Sequence, residues 1–153
     1  GNVDKRTNIY FVKSNDMGAT WTAVDGTPLE TPLTDPKCAA LVRDYQAEGL
    51  NVYIKDTQFD ADGHPVILAV TTPHHMPGPQ GDPRTWIVVH WDGGAWRFHD
   101  VTTSTHNYDT GQIWIEGDLW RILAPTERGP QRWGAGGEVA LWESTDQGAT
   151  WAK

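Results

Sequence analysis

Short apolar runs recur along the chain and are separated by Gly, Asp and Asn. They read LNVYIKD (50–56), HPVILAV (64–70), TWIVVHW (85–91), AWRFHDV (95–101), GQIWIE (111–116) and LWRILA (119–124). Runs of this length between turn residues predict β-strands. The DGG that follows TWIVVHW and the Gly117–Asp118 pair indicate tight hairpins. No run has a convincing helical period, and the best candidate, CAALVRDYQ, is short.

One eight-residue pattern occurs near both ends of the chain. SNDMGATW occupies residues 14–21 and STDQGATW occupies residues 144–151. Each follows an apolar run, so each is expected to close a hairpin in which Asp accepts hydrogen bonds from turn N–H groups and Gly adopts a positive φ. The shared positions are Ser14, Asp16, Gly18, Thr20 and Trp21 in the first copy, and Ser144, Asp146, Gly148, Thr150 and Trp151 in the second.

These copies closely resemble the Asp box of sialidase-type (BNR) β-propellers, a structural turn between the third and fourth strands of a blade, away from the catalytic face. Gly93 and Trp96 align as a degenerate middle copy. The expected fold class is therefore all-β, a propeller segment of about two and a half four-stranded antiparallel blades with Asp-box hairpins.

The expected organisation is a hairpin at about 8–24, a blade at about 50–101 and a blade at about 108–153. A propeller ring needs roughly four to eight blades. The chain, which begins with Gly1, is therefore expected to be a fragment whose partners are the remaining blades of a longer protein.

Composition narrows the possible partners. The net charge of −8 argues against a nucleic-acid partner, and no apolar run is long enough to span a membrane. Cys38 is the only cysteine, which rules out an intrachain disulfide and a Cys-rich metal site. Nine Trp in 153 residues is a density typical of β-proteins with short sheets and of carbohydrate binders.

Two long segments carry candidate chemistry. The loop TTPHHMPGPQGDPR (71–84) holds His74 and His75, which should point to opposite sides of an extended chain and are not expected to chelate one ion. The segment 104–126 places His106, Asn107 and Tyr108 just before a strand. A Gly-rich loop, GPQRWGAGGE, follows at residues 129–138.

Two further residues stand within strands. Arg121 interrupts the apolar strand LWRILA and needs either a bound anion or a salt bridge to Asp100, Asp109 or Glu116. His90 lies next to the end of TWIVVHW, where a packed, non-catalytic histidine is the alternative to a catalytic one.

The order HHMPGP, HW, HNYD, WRILAPT, GPQ and GGE before an Asp box resembles the BNR-type propellers that include the ulvan lyases, over roughly residues 50–151. These enzymes cleave uronic-acid polysaccharides by β-elimination. The resemblance implies Tyr108 as base and acid, His75 and His90 as cleft histidines, and Arg121 as partner of the substrate carboxylate. It also implies substrate contacts from His74, Arg84, His106, Asn107 and Gln131.

Elimination requires a neutralised uronate carboxylate and an unprotonated base. Lowering the pKa of a Tyr by about two units needs roughly 2.7 kcal/mol, and one cation at ~4 Å supplies ~4 kcal/mol at an effective dielectric constant of ~20. One Arg or charged His beside Tyr108 is enough, so His75, His90, Tyr108 and Arg121 are predicted to converge. If Tyr108 and Arg121 lie on opposite faces of the sheet, this mechanism fails and glycan binding becomes the first hypothesis.

The function expected is that of a polysaccharide lyase acting on an ulvan-like anionic polysaccharide. The alternatives are a non-catalytic glycan-binding propeller and a sialidase-type glycoside hydrolase, which needs several Arg and a Tyr–Glu pair. The proposed chemistry requires no cofactor, and the sequence leaves a structural metal undecided. The resemblance implies a secreted or periplasmic protein.

Overall fold

The computed structural model describes residues 2–129 and 132–153. In these residues the chain forms β-strands and one 3-10 helix but no α-helix, so the predicted all-β class is confirmed. No helix in this part of the chain is long and apolar enough to cross a membrane. The strands are β1 (Ile9–Tyr10), β2 (Trp21–Thr22), β3 (Pro28–Leu29), β4 (Leu41–Arg43), β5 (Asn51–Phe59), β6 (Pro65–Thr72), β7 (Arg84–Trp91), β8 (Trp96–Ser104), β9 (Gln112–Glu116), β10 (Leu119–Ala124) and β11 (Ala140–Ser144), and the 3-10 helix is Pro79–Gly81.

The largest sheet is an antiparallel meander in the order β5-β6-β7-β8. All eight residues of β6 are buried. Because successive side chains of a strand point to opposite faces, Val66 and Leu68 enter one apolar cluster, whereas Ile67 and Ala69 enter another. The apolar run HPVILAV therefore forms one of the two central strands of a sheet that is covered on both faces.

The second sheet has the order β9-β10-β11. Ile113, Trp120 and Ile122 face the first sheet and complete the cluster around Val66 and Leu68. Beyond β11, only an isolated bridge between Glu143 and Ala152 adds to this sheet. The second sheet, which was predicted to have four strands, therefore has three strands and one bridge.

The N-terminal part forms two small sheets, β1-β4 and β2-β3. Ile9 and Tyr45 pack on the other face of the large sheet, against Val52 and Ile67. The segment CAALVRDYQ is not helical, because its centre is strand β4, which pairs with β1.

Antiparallel pairing places the strand ends on two opposite sides of the sheets, and "edge" here means one of these sides and not an outermost strand. The turns at 60–64, 92–95, 117–118 and 145–150 connect strands at one edge, which we call the hairpin edge. The segments at 73–83, 105–111 and 125–139 leave the opposite edge, which we call the loop edge. The octapeptide at 144–151 therefore lies on the hairpin edge, and residues 14 and 21 of the first copy line a cleft with Gly63 and His64 from the same edge.

Both octapeptide turns have the same hydrogen bonds. The Thr20 hydroxyl donates to Asp16 Oδ2 at 2.6 Å, and the Gly18 N–H donates to Ser14 Oγ at 2.7 Å. The equivalent bonds in the second turn measure 2.6 Å and 2.9 Å. The hydrogen bonds that the Asp16 and Asp146 carboxylates accept, mainly from Thr20 and Thr150, hold the pKa of each Asp at about 2. The positive φ values of Gly18 and Gly148 are 91° and 82°.

Candidate functional site

Tyr108 is the centre of a polar cluster on the loop edge. Its phenol donates a hydrogen bond to an Asp4 carboxylate oxygen, and its ring stands edge-on to that of Tyr53, with centroids 5.7 Å apart. The Arg6 guanidinium carbon lies 6.0 Å from the Tyr108 ring centroid and 5.6 Å from that of Tyr53. Tyr108 is 41% exposed, so its hydroxyl can reach a ligand at this edge.

The loop that presents Tyr108 is held by the buried carboxylate of Asp109. One Asp109 oxygen accepts bonds from the Ser104 hydroxyl at 2.6 Å and from the His106 N–H at 3.2 Å. The other accepts the Gly136 N–H at 2.6 Å and so joins this loop to the Gly-rich loop. The three hydrogen bonds that Asp109 accepts offset the free-energy cost of burying its carboxylate. The same bonds hold the loop and thereby fix the position of Tyr108.

His74 and His106 have the same local geometry. In each, Nδ1 accepts a backbone N–H from the residue two positions later, Met76 or Tyr108, at 3.1 Å. A neutral imidazole that accepts at Nδ1 carries its proton on Nε2. Burial lowers the pKa of His106 below its ordinary value, which favours this neutral form. His106 therefore has an Nε2–H donor.

His75 lies in the same cluster. Its Nε2 is 3.0 Å from Asn2 Nδ2, and its backbone oxygen accepts a 3.3 Å hydrogen bond from the Asn107 amide. The rings of His74 and His75 stack with centroids 4.7 Å apart. The expectation that these neighbours point to opposite sides is therefore wrong, because the loop turns sharply here and is not extended.

Arg84 belongs to the loop edge but is closed to ligands. It is fully buried, donates to Asp82 at 2.7 Å, and donates to the backbone oxygens of Met76 and Gly78 at 3.2 Å and 3.1 Å. The predicted substrate contact of Arg84 is corrected to an anchoring role, because its two Nη groups are hydrogen-bonded within the loop 73–83.

Two cationic residues near Tyr108, Arg6 and Lys55, were not predicted from the sequence. Besides Arg6, Lys55 lies 5.6 Å from the Tyr53 ring and donates to the Asn107 backbone oxygen at 2.5 Å. Burial lowers the pKa of Lys55 to about 8. Lys55 lies where the pairing of β5 with β6 shifts register, between Ile54 and Asp56, and the period-two pattern of the sequence does not reveal this shift. For Arg6, 102 positions before Tyr108 in the chain, the sequence carried no signal.

His90 and Arg121 are not in this cluster. His90 lies one residue from the hairpin end of β7, is 3% exposed and contacts Asp60 at 2.8 Å and the Trp120 ring at 4.9 Å. The predicted convergence of His90 with Tyr108 is wrong, because His90 lies at the hairpin end of β7 and Tyr108 lies on the loop edge, so the length of β7 separates them.

Arg121 is bound to Glu143 at 2.9 Å and to Glu116 at 2.5 Å. Its strand neighbours Trp120 and Ile122 face the core, so its side chain lies on the outer face of the second sheet. The salt-bridge alternative is correct for Glu116, and the predicted approach of Arg121 to Tyr108 is wrong.

A cleft of about 280 Å³ extends the loop edge beside the cluster. Arg128, Arg132 and Trp133 line it, the Arg132 guanidinium carbon lies 4.3 Å from the Trp133 ring centroid, and the Trp133 indole donates to Asp82 at 2.9 Å. A flat indole beside cations suits an anionic sugar. Gln131, the remaining predicted substrate contact, lies outside the described residues.

The chain is similar to known proteins in sequence and in fold. A family described as "BNR repeat-containing family member" matches residues 1–104. A solved polysaccharide lyase of family PL25, an ulvan lyase bound to -[GlcA(1-4)Rha3S]-, shares the fold with a TM-score of 0.72 and 20% identity over 95% of this chain and 32% of that chain. A second solved PL25 ulvan lyase matches with a TM-score of 0.67, 20% identity and the same coverage. This chain thus spans about a third of their length, and no curated protein matches it.

Proposed function

This chain belongs to the BNR repeat-containing family, and we propose that it is part of a polysaccharide lyase. The lyase would cleave a uronate-containing polysaccharide at the Tyr108 cluster. The observation that carries the proposal is the gathering of an exposed Tyr side chain, two cations and the neutral imidazole of His106 at one edge of the sheets. The fold shared with PL25 ulvan lyases supports it. The successive sheets would then be blades of a propeller, completed by the rest of the lyase.

Elimination that depends on Arg121 fails, because Arg121 is paired with Glu116 and Glu143 on the outer face of the second sheet. Arg6 and Lys55 are therefore the carboxylate partners in this proposal. Both lie 5.6 Å from the Tyr53 ring, which places the two positive charges around one aromatic wall. A uronate carboxylate bound between them would lose much of its negative charge, which makes the proton on the adjacent carbon more acidic. The cations thereby meet the electrostatic requirement of β-elimination.

The elimination step needs a base and an acid. The base removes the proton on the carbon next to the carboxylate, the electron pair forms a double bond, and the glycosidic oxygen on the next carbon leaves and takes a proton. Tyr108 is exposed and positioned for these transfers, with His75 and His106 in the same cluster. The Nε2–H of His106 supplies a neutral donor for sugar oxygens.

The Asp4 carboxylate controls the state of Tyr108. The hydrogen bond to Asp4 is the main cause that raises the pKa of Tyr108 above its ordinary value. A substrate whose carboxylate lies between Arg6 and Lys55 would place a neutral hydroxyl against Tyr108 and displace Asp4. Tyr108 would then be left beside Arg6, whose positive charge lowers the Tyr108 pKa.

The test is turnover by the protein that carries this chain, followed by the ultraviolet absorbance of the new conjugated double bond. Tyr108→Phe should abolish the absorbance change while the affinity for the polysaccharide stays close to that of the wild type. Tyr10→Phe is a matched control, because Tyr10 is 39% exposed and its hydroxyl donates to Pro36 away from the cluster. Full turnover by Tyr108→Phe would contradict the proposal.

A glycan-binding protein without turnover is the second candidate. The bond between Tyr108 and Asp4 favours it, since a Tyr with a raised pKa is a weak base. Polysaccharide affinity that depends on Arg6 and Lys55, without any double-bond formation at any pH, would establish this alternative.

A lyase of this kind would act outside the cytoplasm, because a long anionic polysaccharide does not cross a membrane unaided. Location of the whole protein by cell fractionation tests this part of the proposal.

A further inference from the structure

Asp60, His64 and His90 form a second cluster of polar side chains, on the hairpin edge. One ligand atom from each residue lies within 4.8 Å of the others. Asp60 Oδ2 is 2.8 Å from His90 Nε2 and 3.4 Å from His64 Nδ1. One carboxylate oxygen therefore faces two imidazole nitrogens.

The Asp60 carboxylate is oriented by the turn that contains it. Its other oxygen, Oδ1, accepts backbone N–H bonds from Asp62 at 2.9 Å and from His64 at 2.8 Å. Both donors belong to the turn between β5 and β6, so they direct Oδ2 away from the turn backbone. A carboxylate held in this way is suited to bind a metal ion through a single oxygen.

The two imidazoles differ in their surroundings. The His90 side chain is 4% exposed and is held edge-on against the Trp120 ring. The His64 side chain is 31% exposed, and a Cβ placed on Gly93 would lie 3.1 Å from its Cε1. Gly93 thus leaves the room that the His64 ring occupies, while the exposed side of His64 leaves a path from solvent.

We propose that Asp60, His64 and His90 bind a divalent transition-metal ion, with Zn²⁺ as the best match. Imidazole nitrogen with one carboxylate oxygen is a donor set that suits zinc. Zn–N and Zn–O bonds of about 2.0–2.2 Å in a tetrahedron require ligand atoms about 3.3–3.5 Å apart. The Asp60–His64 separation of 3.4 Å meets this value, and the Asp60–His90 separation of 2.8 Å has to open slightly.

The position of the cluster indicates what the ion does. Asp60 and His64 come from the turn between β5 and β6, whereas His90 comes from β7. A bound ion would cross-link the turn to the sheet on the edge opposite Tyr108. It would therefore stabilise the fold and take no part in elimination, so it stands independently of the proposed lyase activity.

The test is titration of the metal-free protein with ZnCl2, followed by calorimetry and by the melting temperature. His64→Gln should weaken zinc affinity by more than about tenfold, since even changes outside the first ligand shell cost about 10–100-fold. Its metal-free melting temperature should stay close to that of the wild type, because His64 is partly exposed. His99→Gln, in the neighbouring strand β8, is the matched control and should bind zinc as the wild type does.

Two further probes make the result specific. Co²⁺ should give the visible absorption of a tetrahedral site in the wild type and lose it in His64→Gln. Mg²⁺, which prefers oxygen ligands, should not raise the melting temperature. Zinc binding that is unchanged in His64→Gln, or no binding at micromolar zinc, would overturn the proposal. If His90→Gln fails to fold, the His64→Gln comparison still decides.

Discussion

The Tyr108 hydroxyl is hydrogen-bonded to the carboxylate of Asp4, 104 positions earlier in the chain. This contact joins the N-terminal segment to the loop before β9 and covers the most exposed catalytic candidate. It also determines the protonation of Tyr108, because a phenol that donates to a carboxylate retains its proton to higher pH. The contact therefore has consequences for the pH dependence of the proposed elimination.

Asp4→Asn is expected to lower the pKa of Tyr108, because it removes the carboxylate that raises it. The rise of the elimination rate with pH should then occur at lower pH than in the wild type. The pH dependence of kcat/KM, which reports the free enzyme in which Asp4 contacts Tyr108, measures the shift. Asp118→Asn, on the hairpin edge, is the control, and an identical profile for Asp4→Asn would contradict the role given to Asp4.

Lys55 is expected to make polysaccharide affinity fall as pH rises through about 8. Burial lowers its pKa to about 8, so the charged form that attracts an anion is lost above that pH. Affinity measured at several pH values should show this loss in the wild type. Lys55→Arg should keep its affinity to higher pH, and Lys55→Gln should be weaker throughout without a step near 8. A step that persists in Lys55→Gln would assign the titration to another group.

Arg6→Gln and Arg121→Gln are expected to differ. Arg6 lies beside the rings of Tyr53 and Tyr108, so its removal should weaken the binding of an anionic polysaccharide. Arg121 is bound to Glu116 and Glu143, so its removal should leave affinity and turnover unchanged. Parallel binding isotherms measure both. Equal losses of affinity in the two variants would show that Arg121 reaches the substrate after all.

The octapeptide turns are expected to lose stability in acid. The folded pKa of Asp146 is about 2, below its ordinary value of 3.8. A lowered folded pKa contributes stability that is present above the unfolded pKa and is lost as pH falls toward the folded pKa. Between about pH 4 and pH 2 the wild type should therefore destabilise more steeply than Asp146→Asn. Melting curves across this range measure the difference, and parallel curves would contradict it.

Gly148→Ala is expected to destabilise the protein more than Gly117→Ala. Both glycines have a positive φ, but an added Cβ at Gly148 would lie 2.9 Å from Trp120, whereas Gly117 has open space around it. The difference isolates the clash with Trp120 and should amount to about 1–3 kcal/mol, as for overpacked cores. Chemical denaturation measures the free energy of unfolding of both variants.

Local features of the chain predicted the strands well. The run HPVILAV (64–70) forms most of strand β6 (Pro65–Thr72), and LWRILA is strand β10 with the same bounds. The two octapeptides form turns with the same hydrogen bonds, because backbone and side-chain groups within five residues of one another supply all of them. Period-two alternation and turn chemistry depend on neighbours in sequence, so the sequence by itself determined the all-β class and these hairpins.

The membership of the site was decided by tertiary structure alone. Arg121 was expected at Tyr108, but the register of β10 with β11 places it opposite Glu143 and so pairs its charge. Arg6 reaches Tyr108 because the N-terminal segment pairs with β5, where the Val52 N–H donates to the Arg6 backbone oxygen at 2.7 Å. Strand register and the edge at which a loop emerges depend on pairing between distant segments. No local pattern encodes those pairings, so only the folded chain determines which cation accompanies Tyr108.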